Sequence, residues 1–123
     1  MAHVLTVLGR VPSKKNSKKI FVMHGRLIIA PSTEYAKWER DAVKQLAAQA
    51  QPGTKLFPGP MMLKIFAPDK RKADMTNKAE SIMDLLVVCG HLEDDNWFVV
   101  PELHLSFGGV DKENPRIEIY NEE

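Results

Sequence analysis

The chain has 123 residues, a formal net charge of +1, 44% hydrophobic and 27% charged side chains, which fits one domain over 1–123 with the mix of an ordinary globular protein. A lone cysteine, Cys89, excludes a disulfide framework and a cysteine-rich zinc site, and no apolar run reaches the roughly 18 residues of a membrane span. The opening Met1-Ala2-His3-Val4 has no charged segment leading into a long apolar one, so the expected location is the cytoplasm.

In chain order, Val4 to Leu8 is apolar and β-branched enough for a strand, closed by Gly9 and Pro12. The basic stretch from Ser13 to Lys19 reads as a loop. Ile20 to Met23 and Arg26 to Ala30 read as a hairpin around His24-Gly25. A helix capped by Ser32 or Thr33 runs to about Ala50, with Tyr35, Trp38, Ala42, Leu46 and Ala50 on one apolar face. Pro52-Gly53 ends it. A strand follows over Met61 to Ala67, closed by Pro68.

A second helix is expected from about Asn77 to Val88. Its core stripe is Ala79, Ile82, Leu85, Leu86 and Cys89, with Gly90 as its stop. Asn77-Lys78-Ala79-Glu80 has the spacing of a cap with its reciprocal glutamate. Met83, Val87 and Val88 flank the stripe, as extra core or as an interface. A strand from about Trp97 to Phe107 is next, with Pro101 marking an edge or a bulge. Gly108 to Asn114 is turn-rich, and Ile117 and Ile119 alternate with polar neighbours in a last, half-exposed strand. This order predicts an α+β two-layer sandwich, with helices packed on one face of a mixed β-sheet.

Charge is distributed unevenly. Residues 1–80 carry 15 basic and 6 acidic side chains, a net +9, whereas residues 81–123 carry 2 and 10, a net −8. Two blocks, Lys14, Lys15, Lys18 and Lys19, then Lys70, Arg71 and Lys72, suit either solvated loops or contacts to a polyanion, where clustered cations release counterions. Just after the second block stands Asp74, with Glu80 on the following helix and Asp94-Asp95 beyond it. Carboxylates beside a phosphate-gripping surface are what a Mg²⁺ site uses. A helix cap at Asp74 and an Asx-type turn at Asp94-Asp95-Asn96 are the structural alternatives. The four histidines show no ligand spacing. The chain has no GxSxG, Walker, HExxH or GxGxxG motif, which removes the main support for serine hydrolases, P-loop NTPases and dinucleotide enzymes.

Asp74-Met-Thr-Asn-Lys-Ala-Glu-Ser-Ile-Met-Asp-Leu-Leu, followed by Cys-Gly-His-Leu-Glu-Asp-Asp95-Asn-Trp, resembles the RusA family of Holliday junction resolvases. Val11-Pro12-Ser13-x-x-Asn16, the Pro68-Asp69 basic run and Asn114-Pro115-Arg116-Ile-Glu-Ile extend the match in order along almost the whole chain. The resemblance implies a small homodimeric endonuclease of bacterial or prophage origin. It would be dependent on Mg²⁺ (with Mn²⁺ as an alternative) and nick four-way DNA junctions symmetrically. It matches Asp74 and Asp95 to the family's metal-binding aspartates, with Asp94 as a lesser candidate. The family's second helix-start aspartate is Thr76 here and its following lysine is Glu80, so Glu80 is a candidate replacement carboxylate and Lys78 or Lys72 a candidate replacement cation. Lys14, Lys15, Asn16, Lys18, Lys19, Lys70, Arg71, Lys72 and Lys78 are the expected DNA-contacting residues. The competing expectations are a non-catalytic branched-DNA-binding protein of the same fold and a scaffold whose basic and acidic ends pair between chains.

Overall fold

A computed structural model describes residues 1–12, 18–31, 33–50, 56 and 58–122. Eight elements follow one another: β1 (Ala2–Leu8), β2 (Lys18–Met23), β3 (Arg26–Pro31), α1 (Thr33–Gln49), β4 (Met61–Ala67), α2 (Met75–Val88), β5 (Leu103–Val110) and β6 (Arg116–Asn121). Four strands form a sheet in the order β1-β6-β4-β5. β6 runs antiparallel to both of its neighbours, while β4 and β5 are parallel. The expected α+β two-layer arrangement is what the chain adopts.

Strand alternation creates the two layers. Leu5 and Val7 of β1, Met61, Leu63 and Ile65 of β4, and Ile117 and Ile119 of β6 are buried. Successive strand residues point to opposite faces, so these define one apolar side of the sheet. The helices complete it. Tyr35, Trp38, Ala42 and Leu46 of α1 and Ala79, Ile82, Met83, Leu85 and Leu86 of α2 join the same cluster. Met83 therefore belongs to the core, whereas Val88 is exposed. Cys89 is only partly buried, short of the full burial expected for a core-stripe residue.

At the outer edge of the sheet, α1 performs an unusual service. The amide of Gln49 accepts from Thr6 N–H at 2.8 Å and donates to Thr6 C=O at 2.6 Å. The Gln45 amide repeats the pattern one turn earlier, accepting from Leu8 N–H at 2.6 Å and donating to Leu8 C=O at 3.2 Å. Two glutamines thus occupy backbone groups of β1 that a further strand would otherwise take.

β2 and β3 pair separately as the hairpin read from His24-Gly25. Both turn residues have positive φ, 53° for His24 and 73° for Gly25, the backbone of a type I′ turn. Ile20, Val22, Leu27 and Ile29 lie on one face of this hairpin and are exposed.

Several boundaries differ from the sequence expectation: β1 starts at Ala2 rather than Val4, and β2 at Lys18 rather than Ile20, so Lys18 and Lys19 belong to a strand and not to the expected loop. α2 starts at Met75 rather than Asn77, with Asp74 as its N-cap, so the Asn77–Glu80 cap is not formed. Its C-terminal end closes as expected at Gly90, where His91 N–H reaches back to Leu86 C=O at 2.9 Å. β5 starts at Leu103 rather than Trp97 and continues through Gly108 to Val110. Asn96 accounts for the late start. Its side-chain oxygen accepts from Phe98 N–H and Val99 N–H, and its carbonyl accepts from Val99 and Val100 N–H, folding the 96–100 segment into a turn. Trp97 and Phe98 consequently stand in solvent, 77% and 83% exposed.

Candidate functional site

The element order β4-α2-β5 with parallel strands is a crossover, so the helix must carry the chain from the end of β4 back to the level of its start. Asp74 follows the C-terminal end of β4. The loop after α2 packs at the opposite end, where Leu56 N–H bonds His91 C=O, Gly59 N–H bonds Val99 C=O, and Met61 N–H bonds Glu102 C=O. Asp94 and Asp95 lie in that loop. A 14-residue helix is about 21 Å long at 1.5 Å per residue, and this length separates Asp74 from the Asp94-Asp95 turn.

Each candidate carboxylate has a defined local setting. Asp74 is exposed, makes no side-chain cap bond, and accepts from Asn77 Nδ2 at 3.3 Å. Glu80 is exposed on α2, six residues on and about 9 Å further along the axis. Asp94 is committed to an Asx-type turn: Oδ1 accepts from Asp95 N–H and Oδ2 from Asn96 Nδ2, both at 2.8 Å. The Asp95 backbone N–H, and then the Asn96 amide, hold its carboxyl below the usual aspartate value. Asp95 is exposed beside it. Among the described residues, no three His, Cys, Asp or Glu side chains are placed to hold one metal ion. Along the crossover, Asp74 and the Asp94-Asp95 turn therefore stand at opposite ends of α2.

Four of the basic candidates, Lys70, Arg71, Lys72 and Lys78, by contrast, border one cavity. At the C-terminal end of β4, next to the first turn of α2, a cavity of about 340 Å³ is lined by Arg10, Lys70, Arg71, Lys72 and Lys78 together with Val11, Ile65, Met75 and Phe107. Local bonding builds this rim. Asp69 accepts from Arg71 N–H at 2.9 Å and from its guanidinium at 2.9 and 3.0 Å, fixing the turn after Pro68. Those bonds to Arg71, with Arg10 nearby, hold the Asp69 carboxyl low. Lys78 donates through Nζ to Val11 C=O, and one turn further Ser81 Oγ donates to Pro12 C=O at 2.7 Å in full burial. These two bonds pin the segment after β1 against α2 and bring Arg10 to the cavity. Burial pushes the Lys78 amine down, and Arg10 and Arg71 push it further.

Arg10 was not among the sequence candidates, since a single arginine between Gly9 and Val11 carries no motif. Lys14, Lys15 and Asn16 lie outside the described residues, and Lys18 and Lys19 open β2. A second feature without a sequence signal borders the cavity. Between the pairs Ile65–Phe107 and Phe66–Gly109, Gly108 is an extra residue in β5, and the Phe66 ring lies so close over it that a Cβ there would stand 2.5 Å from the ring. Arg116 covers the ring at 3.7 Å from its centroid, itself held by Asp111 at 2.8 Å and Glu118 at 3.1 Å.

No protein-family model matches the chain, and a search of curated proteins finds no match. Among the described residues, no helix is long and apolar enough to cross a membrane.

Proposed function

We propose that this chain is a structure-specific endodeoxyribonuclease of the RusA kind, a bacterial or prophage enzyme that resolves four-way DNA junctions by paired symmetric nicks. The observation that carries the reading is the cluster of Arg10, Lys70, Arg71, Lys72 and Lys78 around one cavity, four of them on either side of Asp74 within the segments that resemble the family. Cations gathered on one surface neutralise backbone phosphates and set the register of a duplex without reading its bases. The one carboxylate among the residues that line this cavity is Asp69, which is paired with Arg71.

The carboxylates of one chain do not fit the divalent cation that the resemblance implies, and no step through an ion follows from one chain. A nuclease that uses both Asp74 and Asp95 has to join them across two copies. A two-fold dimer with its α2 helices antiparallel does so twice, giving two equal sites for the two strands to be cut. The separation of the carboxylates also favours a second reading, a branched-DNA-binding protein without catalysis.

The test is cleavage of a labelled four-way junction against linear duplex of the same arm sequence, in Mg²⁺, Mn²⁺ and EDTA, beside Asp74→Asn. Paired nicks that need the cation and vanish in the variant support the nuclease. Binding that persists in EDTA without any nick selects the second reading.

A further inference from the structure

Three cations from three separate parts of the chain face one another at the cavity beside α2. Arg10 comes from the segment after β1, Arg71 from the turn after β4, and Lys78 from the second turn of α2. Two carboxylates bear on them. Asp69 is already committed to Arg71 by two hydrogen bonds and an ion pair, and Glu34, at the start of α1, acts on Lys78 and Arg71 through its field. Lys78 is half-buried with the exposed Arg10 and Arg71 bearing on it, and an anion placed among the three would relieve that repulsion. The rest of the lining has a different chemistry. Val11, Ile65 and Met75 are apolar, and Phe107, paired with Ile65 on the helix side of the sheet, is 58% exposed where it borders the space. Phe66 is not available as a platform, since Arg116 and Gly108 cover its ring. Small-ligand pockets run from about 300 to 1,000 Å³, which places this one at the size of a single compact ligand.

We propose that this cavity is a subsite for one nucleotide unit, its phosphate held by Arg10, Arg71 and Lys78 and its base laid on Phe107. A ligand with one anionic group and one flat apolar body matches a lining with one cationic side and one aromatic platform; a bare phosphate would leave the platform in water. The subsite deepens the nucleic-acid reading above and rests on it for the identity of the flat group. In a branched substrate it would take a nucleotide out of its stack at the branch, which stacking on aromatic side chains makes favourable.

The test is titration of the full chain with 2′-deoxyadenosine 5′-monophosphate, with deoxyadenosine and with inorganic phosphate, followed by calorimetry or by amide chemical shifts. The mononucleotide should bind at least ten-fold more tightly than either fragment. Phe107→Ala should weaken it about ten-fold, the size of one lost base stack, and leave phosphate binding unchanged. Phe107→Tyr should restore it. Lys78→Met combined with Arg10→Ala should abolish binding of both phosphate-bearing ligands. Equal affinity for mononucleotide and phosphate, indifference to Phe107→Ala, or no binding of the mononucleotide at millimolar concentration would each overturn the subsite. Junction binding by the same preparation is read separately. Junction affinity without mononucleotide binding removes the subsite alone, and mononucleotide binding without junction affinity removes the junction reading alone.

Discussion

If Asp74 and Asp95 work together, they do so between copies, and mixing two inactive variants measures this directly. Asp74→Asn and Asp95→Asn each remove one carboxylate from both sites of their homodimer, so each alone should fail to nick. When equal amounts exchange subunits at random, half of the dimers carry one copy of each. In such a dimer one site has lost both carboxylates and the other keeps both. About a quarter of all sites in the mixture are then whole, and nicking should recover to about that fraction of the unsubstituted rate. The product also changes. On a supercoiled plasmid bearing an extruded cruciform, the unsubstituted dimer cuts twice and gives linear DNA, whereas the mixed dimer has one working site and gives nicked circles. The crossover of α2, with its ends about 21 Å apart, permits no such rescue if both carboxylates served one chain's site, because every site would then lack one of them. A mixture as inactive as its parents, with subunit exchange verified by a tag, would refute the shared site. So would an Asp95→Asn homodimer that nicks at the full rate.

Three further outcomes follow from the packing. Removing both amides that hold β1, Gln45→Ala with Gln49→Ala, should lower stability by about 1 kcal/mol, from net hydrogen-bond contributions of about 1 kcal/mol per glutamine less the better helix propensity of alanine at both sites. Urea unfolding measures it, and unchanged stability would mean that these bonds are replaced by water at no cost. Gly108→Ala drives a methyl into the Phe66 ring and should cost about 1–3 kcal/mol as an overpacking defect; the cost should fall in a Phe66→Leu background, and equal costs in the two backgrounds would show that the ring is not the obstacle. Around Arg116, hydrogen bonds from Asn114 N–H and then from Arg116 hold the Asp111 carboxyl low, and at Glu118 burial pushes the other way but Tyr120 and Arg116 outweigh it. Carboxyls depressed on folding stabilise above their unfolded pKa and lose that contribution as pH falls through the folded one. Arg116→Met should therefore destabilise at pH 7 and progressively less below about pH 4, and a pH-independent difference would point to lost packing over Phe66 instead.

Periodicity made most of the elements legible. Spacings of three and four placed Tyr35, Trp38, Ala42 and Leu46 on the buried face of α1, and His24-Gly25 marked a turn whose positive φ angles are present. What escaped was decided by interactions rather than by pattern. Trp97 to Val100 has the composition of a strand, but Asn96 competes locally for the backbone and delays β5 to Leu103. The basic run at Lys70–Lys72 was visible as charge; the approach of Arg10 and Lys78 depended on Val11 and Pro12 carbonyls being seized by α2. The separation of Asp74 from Asp95 required knowing that β4 and β5 are parallel, a pairing that no local spacing encodes.

The glutamine amides along β1 give the sheet a polarity for growth. Of its two outer strands, one has backbone groups already engaged by its own helix at Thr6 and Leu8, while β5, among the described residues, pairs with β4 alone. A strand arriving from another chain meets a closed side and an open one. Any extension of this sheet by strand addition is therefore directed to β5, the strand that carries Phe107 at the rim of the basic cavity.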